Sequence, residues 1–589
     1  DVGGWFMAEG GLRAFGGALL GPWIDLDMRR HQIPNPNRQQ AKCGYGATMV
    51  RTMSAHNILL ITVDDLRPQL NMSYGMPEMV TPNLDKFAAE ATVFHRAFAQ
   101  MAVCSPSRNS FMTGRRPDTT KVWNFINHFR ESGIGEDWVA LPQFFREHGY
   151  LSYGSGKLYH PAKPPRNDFG LSWTHDEHEP FYWGNGAPIG DALGCNPSVN
   201  LTVPLKEAWG SVATCQDEDN EAALAPDNRS TPQVEQRVEY DHRVATRAIE
   251  GMTRARLLNR SFFVAVGLRR PHLAWRHPAR FYDLYRGKAL AVAKHMTIGE
   301  NVTQLAFERN GEMGQTYIYN GNESLGRWRE SPRGPPLPDA LQRELRRGYY
   351  ASVSFMDYEV GRILDAVEAL QLDGETAVIF HADHGWKLGE HGDWSKCTNW
   401  ELDTRVPLII RTPWLPSSIG KRTLAIAELV DLYPTAVALS GLPSPATEAL
   451  EGSSLLPVLM DPENTVGVKS MAFSQYPRCP EFDMYTHPME YECLETPKQN
   501  LTLMGFSVRD AEWRYTEWRN WTVECKAVWS AEGLVAQELY DHVGDEGRGA
   551  ATFDDFEYES LSHLPVHQPV VERLARALLA QFSQNTGCK

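Results

Sequence analysis

The chain has 589 residues, too many for one small core and a suitable length for one large domain with a smaller one. Its formal net charge of -15 excludes a general nucleic-acid binder and offers no global pull on a polyanion, so anion recognition has to come from a few cations in one pocket. No run approaches the roughly 18 uninterrupted apolar residues that a membrane-spanning helix needs.

Residues 1–55 begin at Asp1, and their apolar stretch from Ala14 to Ile24 is short and glycine-rich, without a clear basic flank or small-residue cleavage site. We read 1–55 as a leader or incomplete terminus outside the fold, with no visible signal peptide. Asn57 to Val63 is then a continuous aliphatic run, the pattern of a strand buried on both faces of a parallel sheet. It ends in Asp64 and Asp65. Two adjacent carboxylates at the end of a buried strand repel and are costly to desolvate. They call for a solvated turn or for a hard divalent cation held on oxygen ligands.

Cys104-Ser105-Pro106-Ser107-Arg108 reads as a helix start, with Ser105 as cap, Pro106 opening the helix and Arg108 one turn inside, at the positive end of a helix dipole. That suits an anion. Cys104 itself reads either as a thiolate nucleophile beside an arginine or as an ordinary buried thiol or disulfide half. Further on, Leu151 to Gly154 passes from apolar residues into Gly156-Lys157-Leu158-Tyr159-His160, where Lys157 and His160 are surface residues or site residues. The polar, Pro-, Gly- and Trp-rich stretch 161–232 reads as a long surface excursion forming one wall of a cleft.

The spacing predicts a helix over Tyr240–Leu258, a strand over Phe262–Val266 that runs into Arg269-Arg270-Pro271-His272, and a helix bearing Met356, Val360, Ile363, Leu364, Val367 and Leu370 on one face. A strand over Ala377–Phe380 follows and runs into His381-Ala382-Asp383-His384-Gly385, with Lys396 a short loop later and another strand over Val406–Ile410. Alternating helices and strands predict an α/β fold with a large, mainly parallel sheet flanked by helices. Ligands of such sheets bind beyond the carboxyl ends of the strands. All four chemical clusters, at Asp64, Lys157, His272 and Asp383, directly follow apolar strands.

Beyond about Val466 the chain turns aromatic and polar, with Trp513, Tyr515, Trp518 and Trp521, which predicts a smaller C-terminal α+β subdomain with an antiparallel sheet and a closing helix over Pro569–Phe582. We therefore expect a catalytic domain over 56–465 and the subdomain over 466–589. The aromatic cluster reads as sheet core ahead of a sugar platform. Eight N-x-S/T sequons, at Asn71, Asn200, Asn228, Asn259, Asn301, Asn322, Asn500 and Asn520, exceed the about three expected at random and favour the secretory route. Apart from Cys104 eight cysteines remain, among which Cys195 with Cys215 and Cys479 with Cys493 are plausible loop closures.

The order C-x-P-S-R with T-G-R after it resembles the signature of the type I, formylglycine-dependent sulfatases. So do Thr62 to Pro68, Gly156 to Pro161, Arg270-Pro271-His272, and Asp383-His384-Gly385-Trp386 through Gly389-Glu390-His391-Gly392, in the same order. The resemblance covers nearly all of 56–589 and is strongest to the branch that removes 2-O-sulfate from terminal iduronate in heparan or dermatan sulfate. It implies an alkaline-phosphatase-like sandwich and a lysosomal or secreted enzyme whose Cys104 is oxidised by formylglycine-generating enzyme.

On that resemblance one hydroxyl of the hydrated aldehyde attacks sulfur, the sugar alcohol leaves, and the other hydroxyl expels sulfate. Asp64, Asp65, Asp383 and His384 would hold one calcium ion together with the modified Cys104, although a histidine is an unusual calcium ligand. Arg108 and Lys157 would orient the nucleophile, Lys396 and His272 would contact the sulfate, and His160 would steer the nucleophile's proton. Arg270 stands where the family segment usually has lysine and Cys397 where a bulkier residue is expected, which bears on the choice of sugar. Trp386 lines the sugar site or is structural. A different sulfated glycan, a phosphate or phosphonate monoester, or a silent carbohydrate-binding role are the competing readings; the intact Cys104–Arg108 motif speaks against the last.

Overall fold

The structure is a computed structural model that describes residues 56–175, 181–182, 240–273, 275, 277–307, 336–445, 448–463, 469–479, 493–553 and 555–588. The expectations for 1–55, for Cys195 with Cys215 and for most of the 161–232 excursion lie outside the described residues.

Eight strands form the large sheet: β1 (Asn57–Val63), β2 (Thr92–Phe98), β3 (Leu151–Gly156), β4 (Phe181–Tyr182), β5 (Phe262–Leu268), β6 (Thr376–Ala382), β7 (Arg405–Arg411) and β8 (Lys421–Glu428). Their order is β4-β3-β5-β1-β6-β7-β2-β8. All adjacent pairs run parallel except at β7, which is antiparallel to both β6 and β2. Every residue of β1 is buried, as its unbroken aliphatic run demands, and each large side chain removed from water contributes roughly 1.5–3 kcal/mol.

Helices cover both faces. Ser152 Oγ donates to the carbonyl of Pro142, in helix Leu141–Glu147, while Ser155 Oγ donates to that of Val244, in helix Tyr240–Leu257. Residues an odd number apart on one strand point to opposite faces. Helix Tyr240–Leu257 in turn packs against the long helix Asp339–Ala369, whose Met356, Val360, Ile363 and Val367 are buried.

The small sheet is antiparallel: β9 (Ala472–Arg478), β10 (Leu503–Arg509), β11 (Trp513–Asn520) and β12 (Leu534–Asp541), in the order β12-β11-β10-β9. Helix Gln568–Phe582 packs on it. Tyr515, Trp518 and Trp521 are buried in its core. A buried ionic lattice fastens the two sheets: Glu401 accepts from Arg405 of β7 (3.2 Å), Arg509 of β10 (2.7 Å) and Arg514 of β11 (3.1 Å), while His542 bridges Asp545 (3.0 Å) and Glu557 (3.1 Å). Its carboxylates are matched by guanidinium groups, which makes the Glu401, His542 and Glu557 cluster an ionic lock. The Cys479–Cys493 disulfide is present and a second joins Cys525 to Cys588, while Cys397 is a buried cysteine outside both.

Candidate active site

Four adjacent parallel strands deliver the chemistry to one edge. Val63 of β1 lies beside Leu268 of β5 and Ala382 of β6, and Gly156 of β3 beside Gly267 of β5. Asp64 and Asp65, Lys157, the turn to His272, and Asp383 with His384 therefore emerge together, where ligands of open α/β sheets bind. Gly156 has φ +80°, and a Cβ there would sit 2.2 Å from the Gly267 carbonyl oxygen. Only glycine lets β3 close on β5 and turn Lys157 into the centre.

Helix Cys104–Thr113 is buried along its whole length. Its cap differs from the expected one: extended Val103 occupies the cap position without a side-chain hydrogen bond, and Ser105 already lies inside the first turn. The cause is tertiary, because Met101 and Val103 pack into the core of the small sheet and the Ala102 carbonyl accepts from Cys397 N (3.2 Å), which anchors the chain just ahead of Cys104. Ser107 Oγ donates to the Asp383 carbonyl at 2.6 Å.

Cys104 Sγ is the meeting point, 3.5 Å from Asp64 Oδ1, 3.5 Å from Lys157 Nζ, 3.4 Å from His384 Nε2 and 3.6 Å from Lys396 Nζ. Burial, helped by Asp64 and only partly opposed by Lys157 and Lys396, pushes the thiol up to about 12. The encoded side chain is thus a protonated thiol at neutral pH and a poor nucleophile.

Arg108 binds carboxylates and carbonyls. Its Nε donates to Asp383 Oδ2 (2.9 Å), its Nη2 lies 2.8 Å from Asp383 Oδ2 and 3.1 Å from Asp64 Oδ2, and its Nη1 donates to the carbonyls of Lys157 and Leu158. Lys157 Nζ pairs with Asp64, and Lys396 Nζ with Asp65 Oδ1 at 2.7 Å. Burial opposes ionisation of Asp64, but Lys157 and Arg108 outweigh it and hold this carboxyl well below the usual range. For Lys157 burial is likewise outweighed, by Asp64, and its ammonium is held above the ordinary value.

The donor set fits a divalent metal. Ligand atoms of Asp64, Cys104, Asp383 and His384 all lie within 4.8 Å of one another, as do those of Asp64, Asp65, Cys104 and His272. Three buried carboxylates already face three buried cations, so an added divalent ion would give the centre the positive charge that an anionic ester requires. Carboxylate oxygens suit calcium or magnesium, whereas the Cys104 sulfur does not. On the resemblance noted in the sequence, a formylglycine oxygen would stand in place of that atom and would complete an oxygen-rich set. His384 lies against the cluster but brings nitrogen.

The remaining expected residues flank this core. His272 Nδ1 lies 2.7 Å from the Leu273 carbonyl, and burial followed by Lys157 holds the ring well below its ordinary value. His160 makes no hydrogen bond to Cys104; its ring stacks on Phe125 with centroids 4.3 Å apart, and burial, reinforced by Lys157, keeps it neutral. Trp386 is fully buried beside Lys396, whose Nζ lies 5.4 Å from the ring centroid. Arg270 N donates to Asp241 Oδ2 (2.8 Å) and Arg269 N to Asp241 Oδ1 (2.7 Å), fixing the turn that carries His272.

Two supports, Tyr349 and Arg346, carry no sequence signal. Asp65 has φ +57°, and its carbonyl accepts from Tyr349 Oη at 2.8 Å. Arg67 grips Glu390 through two bonds of 3.0 Å, and Arg346 adds a third of 2.9 Å, tying the loop after β1 to the loop after β6. Tyr349 and Arg346 sit in a helix whose pattern announces only packing.

A family model described as Sulfatase matches residues 56–442. Iduronate 2-sulfatase of Mus musculus is 31% identical over 553 residues, covering 86% of this chain and 93% of the relative; that of Homo sapiens is 31% identical over 521 residues, covering 79% and 86%. Among solved structures, a protein in complex with its substrate D-glucosamine-2-N,6-O-disulfate matches with TM-score 0.62 at 18% identity, covering 91% of this chain and 99% of the other. Phosphonate monoester hydrolase of Agrobacterium radiobacter matches with TM-score 0.60 at 19% identity, covering 90% and 96%; these two establish the alkaline-phosphatase-like fold alone. With carboxylates, cations and a buried cysteine gathered at the strand ends, and with matches of this extent, the chain belongs to the sulfatase family and is a sulfuric ester hydrolase.

Proposed function

We propose that this hydrolase acts on glycosaminoglycans, removing the 2-O-sulfate of terminal iduronate in heparan or dermatan sulfate, with formylglycine at position 104 and one calcium ion. The observation that carries the reading is the convergence of Asp64, Lys157, His384 and Lys396 on the buried Cys104 Sγ. The length over which the chain matches the two iduronate 2-sulfatases supports the choice of sugar. Once in place, calcium would polarise a sulfate oxygen and the hydrated aldehyde would supply the attacking hydroxyl.

The chain's own residues do the rest. Asp64, Asp65, Asp383 and His384 would hold the ion. Arg108 locks Asp64 and Asp383 in orientation. Lys157 stabilises negative charge beside position 104, and Lys396 and His272 receive the sulfate. His160, neutral in its seat against Phe125, would steer the nucleophile's proton. Residues 56–465 form the catalytic unit, and 466–589 a subdomain that braces it. The disulfides Cys479–Cys493 and Cys525–Cys588 and the exposed sequons at Asn259, Asn301, Asn500 and Asn520 support a secretory, lysosomal or extracellular setting, where formylglycine-generating enzyme would be the maturation partner.

The test is turnover by protein co-expressed with formylglycine-generating enzyme. Sulfate release from a disaccharide with non-reducing 2-O-sulfated iduronate should exceed release from a 6-O-sulfated glucosamine disaccharide and hydrolysis of a phosphonate monoester. Preference for either of the latter overturns the substrate assignment and leaves the family standing.

A further inference from the structure

Lys396 is a long, rotamer-rich side chain that has to be aimed at a buried centre, so the anchoring of its main chain decides how well it is aimed. The next residue, Cys397, sits at φ +78°, in the left-handed region. Both of its main-chain groups are engaged: N–H with the Ala102 carbonyl two residues before Cys104 (3.2 Å), and C=O with Arg478 Nη1 (3.0 Å).

Arg478 ends β9 in the small sheet and is 3% exposed. Its Nε also donates to the Leu305 carbonyl (2.9 Å), its Nη1 to Pro477 (3.2 Å), and its Nη2 to Ala306 (3.4 Å) and Phe307 (3.3 Å). The guanidinium carbon lies 4.9 Å from the Tyr476 ring centroid and 5.2 Å from that of Trp518. A planar fork with five donors, clamped on aromatic rings, reaches five main-chain carbonyls from three segments at once, more than the three donors of a lysine can serve.

We propose that Arg478 is a positioning residue for sulfate-ester hydrolysis: through the Cys397 carbonyl it fixes the main chain that aims Lys396 at the reacting centre, so that the small sheet sets the geometry of the active site. This rests on the role given to Lys396 above. Removing the fork frees the Cys397 carbonyl, the left-handed turn relaxes, and the Lys396 ammonium samples positions away from the sulfate.

The test is a double-mutant cycle on calcium-loaded protein matured by formylglycine-generating enzyme. Arg478→Lys should lower kcat/KM by about 10-fold to 100-fold. It should reduce by a similar factor the affinity for inorganic sulfate, read as sulfate-dependent protection against thermal unfolding. In a Lys396→Met background Arg478→Lys should change either quantity by less than about twofold, since the group it positions is gone. Two losses that multiply would overturn the coupling and leave Arg478 a general structural residue. Lys396→Met with unaltered kinetics and sulfate affinity would overturn the role of Lys396 itself, a separate failure. Arg478→Gln is the second variant should Arg478→Lys not fold, with native near-UV circular dichroism required of each protein scored.

Discussion

Ser107 Oγ donates to the main-chain carbonyl of Asp383 across 2.6 Å, fastening the helix that begins at Cys104 to the loop that follows β6. The start of the Cys104 helix and the loop that carries Asp383 are therefore tied together. Pre-organisation of this kind lets donors act on developing charge without rearranging.

Cys104→Ala should abolish turnover, with kcat falling at least about 10⁴-fold, because the remaining cations bind sulfate but supply no nucleophile. The fold should survive at a cost of about 1 kcal/mol for one small buried atom. The checks are sulfate release, thermal unfolding, and peptide mass of the unsubstituted protein, which should show an aldehyde in place of the thiol.

Glu390→Gln should weaken the clasp between the loops after β1 and β6. Glu390 takes three charge-assisted bonds from Arg67 and Arg346, which with burial opposing them hold its carboxyl down to about 2. Leaving two buried guanidinium groups without their anion should cost about 3–5 kcal/mol. Calcium affinity should fall about 10-fold to 100-fold as the carboxylate loops loosen. Denaturation and calcium titration measure the two effects separately.

Glu538, in β12, is 1% exposed, and burial followed by Glu557 raises its carboxyl from the ordinary 4.5 to about 8. The folded protein therefore keeps a proton that the unfolded chain releases above 4.5, and stability falls as pH rises from about 4.5 to about 8. Glu538→Gln should remove that penalty, stabilising the protein by about 2–3 kcal/mol at pH 7 and by nothing measurable at pH 4. Unfolding curves at the two pH values decide it; equal gains at both would point to packing instead.

Cys588→Ser should cost about 4 kcal/mol, since the Cys525–Cys588 bridge closes 63 residues of chain. Its cysteines belong to the small-sheet core, away from the Cys104 cluster, so kcat at 25 °C should stay within about twofold of the parent while the melting temperature drops.

What could be read from the sequence and what could not divide along physical lines. The aliphatic run of β1 and the carboxylates after it are local signals, and so is the return of that pattern at β5 and β6. Strand β2 was not predicted, because His95 and Arg96 interrupt its apolar pattern, and both are accommodated by contacts far along the chain: His95 meets Tyr74 edge-on, and Arg96 reaches the carbonyl of Asp545. The antiparallel direction of β7 and the pairing of Cys525 with Cys588 are likewise products of the closed fold. The cap of the Cys104 helix shows local chemistry overruled: Ser105 has the right side chain, but the tie between Ala102 and Cys397 decides where the helix starts. Residues such as Tyr349, Glu390 and Arg478 act through groups dozens to hundreds of positions away, and no periodicity marks them.

The complete burial of helix Cys104–Thr113 bears on timing. A thiol that is 2% exposed, in a helix buried along its whole length, presents almost no surface to another protein's catalytic pocket. An enzyme that oxidises Cys104 has to reach it before the helix docks, while the segment is still an open stretch of chain. Under the proposed conversion of Cys104, maturation and folding would compete in time, and the specific activity of a preparation would record which of them came first. A substitution that speeds docking of this segment would yield a stable protein with fewer working copies, and slower synthesis would yield more.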